Sequence, residues 1–424
     1  MSEAERQKAQ PQHLPFLTLL LLLLISLYVF HGSVRAWFSG RYRAVREFSR
    51  ALDLCLDEFR EPRPPEELLH GAIEGMVNSL DDPHSAFLDP QDNKRLVEIE
   101  TGRYAGLGIL IRLTKDKKLR IEKVFEGSPA QKAGLKPGDI IISAAEHDPS
   151  GLREPLVTDL TTIKSLSKTS TVLKGRPGTR VTLGILRDGK RLEITVTRAI
   201  IEAPVVEHRP VAWGIGYLRI SDFPDNTASK VRAAIEELEK QGARALVIDL
   251  RGNAGGFLDQ AVATADLFIR SGVIVSTHNR NQRENRVFHA NPGGPAEDIP
   301  LAVLVDGGSA SAAEVLAGTL QDHGRAKLVG QKTYGKGAVS KRFPLPDGSG
   351  ILLSTGIYIL PKGRQIEGKG LAPDLEVKPP RPEELEGLKP GETPPDPQLD
   401  AAVELLKKQL SQTRKSGSPE RTSG

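Results

Sequence analysis

The fold is decided by residues 301–320, LAVLVDGGSASAAEVLAGTL. Five apolar residues come first, a loop of small residues follows at 306–311, and apolar residues then recur three and four apart. This order predicts a buried strand, a tight loop, and a helix that begins where the loop ends.

Strands and helices alternate on both sides of this stretch. The segments GIGYLRIS (214–221) and ARALVIDL (243–250) are typical of strands. Each is followed by a helical pattern, DNTASKVRAAIEELEKQG (225–242) and GFLDQAVATADLFI (256–269). Because such alternation is typical of α/β domains, we predict an α/β core at residues 200–378.

Residues 101–199 follow a different pattern. Short β-rich runs such as YAGLGILIRL (104–113) precede RVTLGILRDGKRLEITVTR (180–198), in which Asp188-Gly189 marks a hairpin turn. The segment is therefore predicted to be a separate, β-rich domain.

The N-terminal part begins with a tail at 1–13 and an apolar, uncharged run at 14–30, LPFLTLLLLLLISLYVF. At ~1.5 Å per residue this run reaches 25 Å or so, the short end of a membrane span. We expect an uncleaved anchor rather than a signal peptide. Residues 41–100 predict helices on either side of a proline-rich break. Residues 379–424 predict a proline-rich linker, a short helix and a disordered tail.

Composition limits the function classes. The net charge is only +4 over 424 residues, and no basic stripe is interleaved with aromatic residues, so nucleic acid is not an expected partner. The one cysteine, Cys55, lies on an apolar helical face and is expected to be a buried structural thiol. The sequence has no HExxH motif and no Cys/His cluster, so we expect neither a metal nor an organic cofactor.

The loop at 306–311 offers two candidate nucleophiles, Ser309 and Ser311. A serine before a helix often acts as its N-cap. Small neighbours, however, would let a substrate backbone approach and leave helix N–H groups free to stabilise an oxyanion. The nearest histidine, His323, is twelve residues after Ser311 on the same predicted helix, which is about 18 Å. A Ser-His-Asp triad is therefore not favoured.

A lysine is the other group that activates serine. Lys336 stands between two glycines in QKTYGKGAVS (331–340). A turn packed against the small-residue loop would desolvate this lysine and favour its neutral form, whereas a solvated surface lysine is the alternative interpretation.

The glycine-rich loop at 249–256 lacks the G-K-[ST] ending of a phosphate loop and is better interpreted as an oxyanion-hole loop. Its motif D-x-R-x-N-x-G-G comprises Asp249, Arg251, Asn253, Gly255 and Gly256.

Together with S-A-S-A-x-E at 309–314 and G-K-G at 335–337, these motifs resemble those of the carboxyl-terminal processing peptidases, also called tail-specific proteases. Residues 101–199 are similar to a PDZ domain, and the matching carboxylate-binding loop is Gly106-Leu107-Gly108-Ile109. The resemblance implies a multidomain α/β protein with an N-terminal membrane segment and helices, a PDZ-like β-rich domain and an α/β serine-peptidase core.

The resemblance also implies roles for individual residues. Ser311 corresponds to the nucleophile and Lys336 to the general base, while Ala312 and either Gly255 or Gly256 would supply the oxyanion N–H groups. The family usually has a glutamine four residues after the lysine, where this chain has Ser340. A serine is shorter, so it is expected to hold the lysine less well or through a water.

The expected partners are protein or peptide substrates that the PDZ domain binds by their C-terminal end. The resemblance places the peptidase on the extracytoplasmic, periplasmic side, anchored by residues 14–30. The arginines that follow this segment favour the opposite orientation. A homo-oligomer is left open.

Two other function classes stay open. One is a catalytically weak or inactive membrane-tethered PDZ scaffold, which the departure at Ser340 would suit. The other is a β-lactam-type acyltransferase, indicated by S-x-x-K at Ser165 to Lys168. The second is much weaker because its S-D-N and K-T-G partner motifs are absent.

Overall fold

The computed structural model describes residues 21–26, 40–114, 116–147, 154–162, 166–381, 384 and 394–416. The chain divides into two compact units, Met1–Asp81 and Asp82–Gly424. The multidomain α/β character that the sequence predicts is confirmed by the elements of the second unit.

The first unit is helical. It contains α1 (Gly40–Glu58) and α2 (Pro65–Asn78). Pro65 lies in the first turn of α2, where a missing N–H costs nothing. The helices predicted on both sides of the proline-rich break are thus confirmed. The expectation for Cys55 is wrong: its side chain is exposed, because the apolar face of α1 is left largely uncovered.

Residues 21–26 are helical, and the rest of the segment 14–30 lies outside the described residues. No helix within the described ranges is long and apolar enough to cross a lipid bilayer. The predicted membrane segment is therefore not supported by the part of it that is described.

The second unit begins with β1 (Ala86–Leu88) and α3 (Pro90–Thr101). The Asp89 carboxylate accepts a hydrogen bond from the Asp92 N–H at 2.7 Å and caps α3. The helix ends at Gly102, which has φ 64° and adopts the left-handed conformation typical of a helix C-terminus.

A β-rich domain follows, and its hydrophobic core is separate from that of the α/β region after it. Its strands are β2 (Arg103–Gly106), β3 (Ile109–Leu113), β4 (Leu119–Val124), β5 (Ile140–Glu146), β6 (Leu156–Asp159), β7 (Arg180–Arg187), β8 (Lys190–Thr197) and β9 (Ala199–Glu202), and its helices are α4 (Pro129–Lys132) and α5 (Leu166–Leu173). The order β3-β4-β5-β7-β8 forms an antiparallel sheet with β6 beside β5, and β2 pairs with β9. The hairpin predicted at Asp188-Gly189 is confirmed, since both residues have positive φ.

The remaining elements form the α/β region. The strands are β10 (Val206–Pro210), β11 (Ile215–Ile220), β12 (Ala245–Asp249), β13 (Gly272–Asn279), β14 (Arg286–Ala290), β15 (Leu301–Val305), β16 (Ala326–Gly330), β17 (Ala338–Pro344), β18 (Gly350–Ile359) and β19 (Leu375–Glu376), and the helices are α6 (Thr227–Lys240), α7 (Leu258–Ala265), α8 (Ala312–Asp322) and α9 (Pro397–Ser416). A six-stranded sheet has the order β10-β11-β12-β15-β16-β19 and is parallel except at β10. A second sheet, antiparallel at each of these pairings, has the order β1-β18-β13-β14, with β17 also paired to β18.

The parallel sheet is covered on both faces. Leu246 and Ile248 of β12 face the core formed with α6, α7 and α8. Ala245 and Val247, which alternate with them, face α9. The apolar stripe of α9 consists of Leu399, Ala402, Val403 and Leu406. The predicted C-terminal helix therefore exists, and it is an integral layer of the α/β core.

Candidate active site

Two loops leave the carboxyl edge of the parallel sheet side by side, because β12 and β15 are parallel neighbours. The Gly252 N–H donates to the Asp306 carboxylate at 2.9 Å, and the Ala310 N–H donates to the Asn253 carbonyl at 2.8 Å. Each loop thus holds the other in place.

Ser309 connects these two loops through hydrogen bonds of its hydroxyl. Its hydroxyl donates to the Leu250 carbonyl at 2.8 Å and accepts from the Asp306 N–H at 3.0 Å. The residue is fully buried. These contacts fit the interpretation that Ser309 shapes the loop and leave it no access to a substrate.

Ser311 lies at the turn from the second loop into α8. Its φ is 54° and its ψ is −118°, a backbone conformation that is unfavourable for any residue with a Cβ. Strain of this kind persists only where the surroundings enforce it, and it is concentrated at functional sites. Ser311 lines a cavity of about 540 Å³.

The glycine-rich loop lies directly against Ser311. A Cβ on Gly255 would be 2.8 Å from the Ser311 Cβ and 3.1 Å from the Ala312 nitrogen. The Gly255 N–H already donates to the Asn253 side chain at 2.8 Å. Within the described ranges, neither the Gly256 N–H nor the Ala312 N–H has a hydrogen-bond acceptor. Of the two glycines that the sequence left open, Gly256 is thus the one with a free donor.

Lys336 lines the same cavity from a turn after β16 and is half-buried. Its flanking glycines are required by packing: a Cβ on Gly337 would be 2.4 Å from the Glu367 nitrogen, and one on Gly335 would be 2.9 Å from the Gly370 nitrogen. The turn is therefore tight, and the atoms that require its glycines belong to residues 367–370 and not to the small-residue loop. No direct hydrogen bond between the Lys336 and Ser311 side chains is present in the described structure, which is common before substrate binds.

One buried carboxylate, Glu314 in the first turn of α8, connects the two turns. It accepts backbone N–H bonds from Ser311 at 3.0 Å and from Lys336 at 2.8 Å. It also accepts from the Gly335 N–H at 2.8 Å and from the Thr333 hydroxyl. Sequence reasoning gave Glu314 no role, although the S-x-x-E spacing from Ser311 is the signature of a capping box.

Ser340 also lines the cavity. Its buried hydroxyl has no hydrogen-bond partner among the described residues. The expected contact with Lys336 is therefore not formed in this structure.

The cavity wall carries two carboxyl groups whose pKa values are raised by burial. The pKa of Asp222 is raised by burial and only partly lowered by the Ser221 hydroxyl. Burial likewise raises the pKa of Glu100, against a smaller opposing effect of Arg342. Apolar side chains complete the wall, and they include Leu96, Ile99, Phe223, Phe257 and Leu352.

A charged network supports the glycine-rich loop from behind. Asp396, just before α9, binds the Arg251 guanidinium through both oxygens, at 2.8 and 2.7 Å. Asp249 binds the same guanidinium at 2.7 Å and accepts the Tyr217 hydroxyl at 2.7 Å. The pKa of Tyr217 is raised to about 12 by burial and by the Asp249 charge. Bidentate pairing of this kind fixes orientation as well as distance.

The PDZ-like loop lines a different cavity, of about 240 Å³, together with α5. Gly108 has φ 82°, and a Cβ there would be 2.4 Å from the Ser128 Cβ, so only glycine fits. The loop is anchored by the Ala130 N–H, which donates to the Leu107 carbonyl at 2.9 Å. The groove thus has the loop 106–109 at one end and α5 as a wall.

The proposed site residues therefore fall into two groups. Ser311, Lys336, Ser340, Gly255 and Gly256 share one cavity wall, with Ala312 adjacent to it. Gly106, Leu107, Gly108 and Ile109 line the other. His323 has no hydrogen bond to either group among the described residues. Its ring Nε2 is hydrogen-bonded to the Val273 carbonyl at 2.7 Å. Ser165 of the S-x-x-K match lies outside the described residues.

Known families match three segments of the chain. Residues 214–377 match the family described as peptidase family S41, and residues 105–197 match the PDZ domain. Residues 35–92 match the N-terminal domain described for the activating protease CtpB.

Relatives that match most of the chain agree with these family matches. The chain is 35% identical over 352 residues to a carboxy-terminal-processing protease of Bartonella bacilliformis, which covers 82% of this chain and 78% of that one. It is 36% identical over 367 residues to a carboxyl-terminal-processing protease of Synechocystis, covering 85% and 82%. A solved structure of a putative S41 protease from Bacteroides fragilis is similar in fold, with a TM-score of 0.53, 21% identity, and coverage of 83% and 92%.

Proposed function

Because the chain belongs to the carboxy-terminal-processing proteases of peptidase family S41 and carries a PDZ domain, we propose that it cleaves protein substrates with a Ser311–Lys336 dyad. One observation carries this proposal. Ser311, at a strained turn, faces a cavity that also contains Lys336 and borders the free Ala312 and Gly256 N–H groups.

In the proposed reaction, Ser311 Oγ attacks the scissile carbonyl carbon while its proton passes to a neutral Lys336 Nζ. The N–H groups of Ala312 and Gly256 donate to the carbonyl oxygen as it becomes negative, and each donor is worth about 3–4 kcal/mol of transition-state stabilisation. The Lys336 ammonium then protonates the leaving amine as the C–N bond breaks, which leaves an acyl group on Ser311.

A water molecule completes the cycle. It attacks the acyl carbon while Lys336 takes its proton, and the bond to Ser311 Oγ breaks. The product leaves with a new carboxyl terminus, and Ser311 recovers its hydroxyl proton from Lys336. Atoms and protons balance without a metal or an organic cofactor.

We further propose that the groove between the loop Gly106–Ile109 and α5 binds the C-terminal end of the substrate. Backbone N–H groups of a glycine-containing loop suit a terminal carboxylate, and β3 offers an edge for an added strand. The test is fluorescence anisotropy with a labelled peptide that has either a free or an amidated C-terminus. Equal binding of both would contradict carboxylate recognition.

The dyad is tested on the full chain in detergent, with fluorescently labelled casein as substrate. Ser311→Ala and Lys336→Ala should each lower kcat by about 10³-fold or more, and a fluorophosphonate probe should label the wild type but not Ser311→Ala. Full activity of Ser311→Ala would refute the nucleophile. An inactive Ser309→Ala that remains folded, beside an active Ser311→Ala, would place the nucleophile two residues earlier. A wild-type protein that neither reacts with the probe nor cleaves casein would favour the alternative function, a catalytically inactive PDZ scaffold.

We also propose that the peptidase region lies on the extracytoplasmic side, tethered by residues 14–30. The uncharged, apolar sequence of that segment supports the tether. A C-terminal alkaline phosphatase fusion is active only outside the cytoplasm, so an inactive fusion on an intact chain would refute the orientation. The homo-oligomer remains an expectation that sedimentation of the full chain tests.

A further inference from the structure

A second carboxylate, outside the sequence motifs, holds the turn that carries Lys336. Glu367 Oε2 accepts a hydrogen bond from the Gly337 N–H at 2.7 Å. Together with the two bonds to Glu314, this bond means that the three consecutive N–H groups of residues 335–337 all donate to carboxylates. Glycines on both sides of a residue leave its backbone free to adopt many conformations. These hydrogen bonds therefore restrict a backbone that the glycines alone would leave mobile.

The other oxygen of Glu367 is anchored to a histidine. Glu367 Oε1 is hydrogen-bonded to His84 Nε2 at 3.1 Å, and the His84 side chain is only 10% exposed. The His84 N–H donates to the Asp82 carboxylate at 3.2 Å, and the Ser354 N–H of β18 donates to Ser85 Oγ at 3.1 Å. The loop that carries His84 is thereby held against β18, so the imidazole is a fixed support for the carboxylate.

The side chain of Lys336 has no comparable support. No side chain in the described part of the chain is hydrogen-bonded or ion-paired to Lys336 Nζ, and the Ser340 hydroxyl in the same cavity wall has no partner among those residues. A lysine ammonium stands on a flexible four-carbon stem. The positions open to Nζ therefore depend on where the backbone of residue 336 is held.

On the proposed function, in which Lys336 is the general base, we propose that Glu367, supported by His84, is a positioning residue for that base. Its carboxylate fixes the Gly337 end of the turn and thereby sets the reach of Lys336 Nζ towards Ser311. The bond to His84 keeps the carboxylate turned towards Gly337. Because Glu367 is not among the residues that line the cavity, the proton transfers of peptide cleavage are unchanged.

The test compares Glu367→Ala with Glu367→Gln in the full chain in detergent. Alanine removes the acceptor of the Gly337 N–H, so kcat for casein cleavage should fall by about 10- to 100-fold, the loss expected when a reacting group is misplaced. KM should stay within about twofold, since the change acts on the chemical step. Glutamine keeps an oxygen that accepts the Gly337 N–H, so Glu367→Gln should stay within about threefold of the wild type. The control Glu376→Ala removes an exposed carboxylate of β19 and should retain full activity.

A second variant keeps the proposal testable if Glu367→Ala folds poorly. His84→Ala removes the support of Glu367 and leaves the carboxylate in place, so kcat should fall by about 3- to 10-fold, a partial misplacement, with KM unchanged. The rate at which a fluorophosphonate probe labels Ser311 should fall in the same ratio. Because His84 acts through Glu367, adding His84→Ala to Glu367→Ala should cause no further loss, whereas independent structural roles predict losses that add.

The outcomes separate this inference from the proposal on which it rests. Inactive Ser311→Ala and Lys336→Ala beside a fully active Glu367→Ala, or beside a fully active His84→Ala, would overturn the positioning role alone. Equal losses in Glu367→Ala and Glu367→Gln would also overturn it, because acceptance of the Gly337 N–H would then not be the cause. A rise in KM without a fall in kcat would assign Glu367 to substrate binding and refute positioning. A fully active Lys336→Ala would overturn both proposals, because no base would be left to position.

Discussion

The substitution Glu314→Gln tests whether one carboxylate organises both the Ser311 turn and the Lys336 turn. The side chain is fully buried, and each of its oxygens accepts two hydrogen bonds. A glutamine has the same shape but presents an NH₂ group, which cannot accept, in place of one oxygen. An NH₂ at the Oε2 position leaves the Ser311 and Lys336 N–H groups without an acceptor. An NH₂ at the Oε1 position leaves the Gly335 N–H without one.

The better orientation therefore leaves one buried N–H unsatisfied and replaces charge-assisted bonds with neutral ones. An unsatisfied buried donor costs about 1–3 kcal/mol, and charge-assisted bonds are roughly twice as strong as neutral ones. We expect Glu314→Gln to lower the free energy of unfolding by about 2–4 kcal/mol. Because both turns would shift relative to each other, kcat should fall about 100-fold, as misplacements near 1 Å do.

Urea unfolding followed by circular dichroism measures the stability change, and casein cleavage measures kcat. The control is Glu236→Gln, an exposed position on α6, which should change stability by no more than about 0.5 kcal/mol. A loss below about 1 kcal/mol in Glu314→Gln, with kcat within twofold of the wild type, would refute the reasoning.

Three further predictions concern the loops around the site. Asp396→Asn should lower stability by about 2 kcal/mol, because it weakens the pairing of a largely buried Arg251. Burial raises the pKa of Asp396, but Arg251 and backbone N–H groups outweigh burial, so the pKa is lowered. The stability difference between Asp396→Asn and the wild type should thus be present above the unfolded pKa of about 3.9 and vanish as pH falls through the lower folded pKa. A constant difference in urea unfolding from pH 2 to 7 would contradict this. Gly255→Ala should abolish casein cleavage, because the new Cβ would be 2.8 Å from the Ser311 Cβ at a residue with a φ of 113°. The control Gly71→Ala, which has open space around it, should remain active. Equal activity of the two variants would count against the close approach of Gly255 to Ser311. The pKa of Asp222 is raised by burial, so its protonated form stabilises the fold below the unfolded pKa, and this contribution is lost as pH rises through the folded pKa. Asp222→Asn should therefore gain stability relative to the wild type as pH rises above about 4. A stability difference between the two proteins that does not change with pH would refute this prediction.

The sequence predicted those parts of the fold that depend on local pattern. The apolar runs that became β11, β12 and β15 and the helices between them were recognisable because strand and helix periodicities differ. The catalytic roles of Ser311 and Lys336 stay predictions from motifs, and the structure places both residues on one cavity wall. The tight packing of Gly335 and Gly337 agrees with the reason given for those glycines.

Other features depend on partners that are distant in sequence. The burial of α9 against β12, roughly 150 residues earlier, is invisible in its own amphipathic pattern. Tyr358 carries no motif, and its place in the wall of the active-site cavity follows from the pairing of β17 with β18. The prediction that Cys55 is buried was wrong, because an apolar stripe on a helix does not by itself show that another element covers it.

The position of α9 has a consequence for the order of events during synthesis. All strands of the sheet that carries the two active-site loops have been synthesised once the chain reaches residue 376. One face of that sheet, however, is covered by α9, and Asp396, one partner of Arg251, lies just before this helix. A nascent chain that has emerged only as far as β19 has nothing from α9 over Ala245 and Val247, and it lacks the Arg251–Asp396 salt bridge behind the glycine-rich loop. The last helix must therefore be synthesised before the parallel sheet is covered on both faces and the Arg251 guanidinium has both of its carboxylate partners.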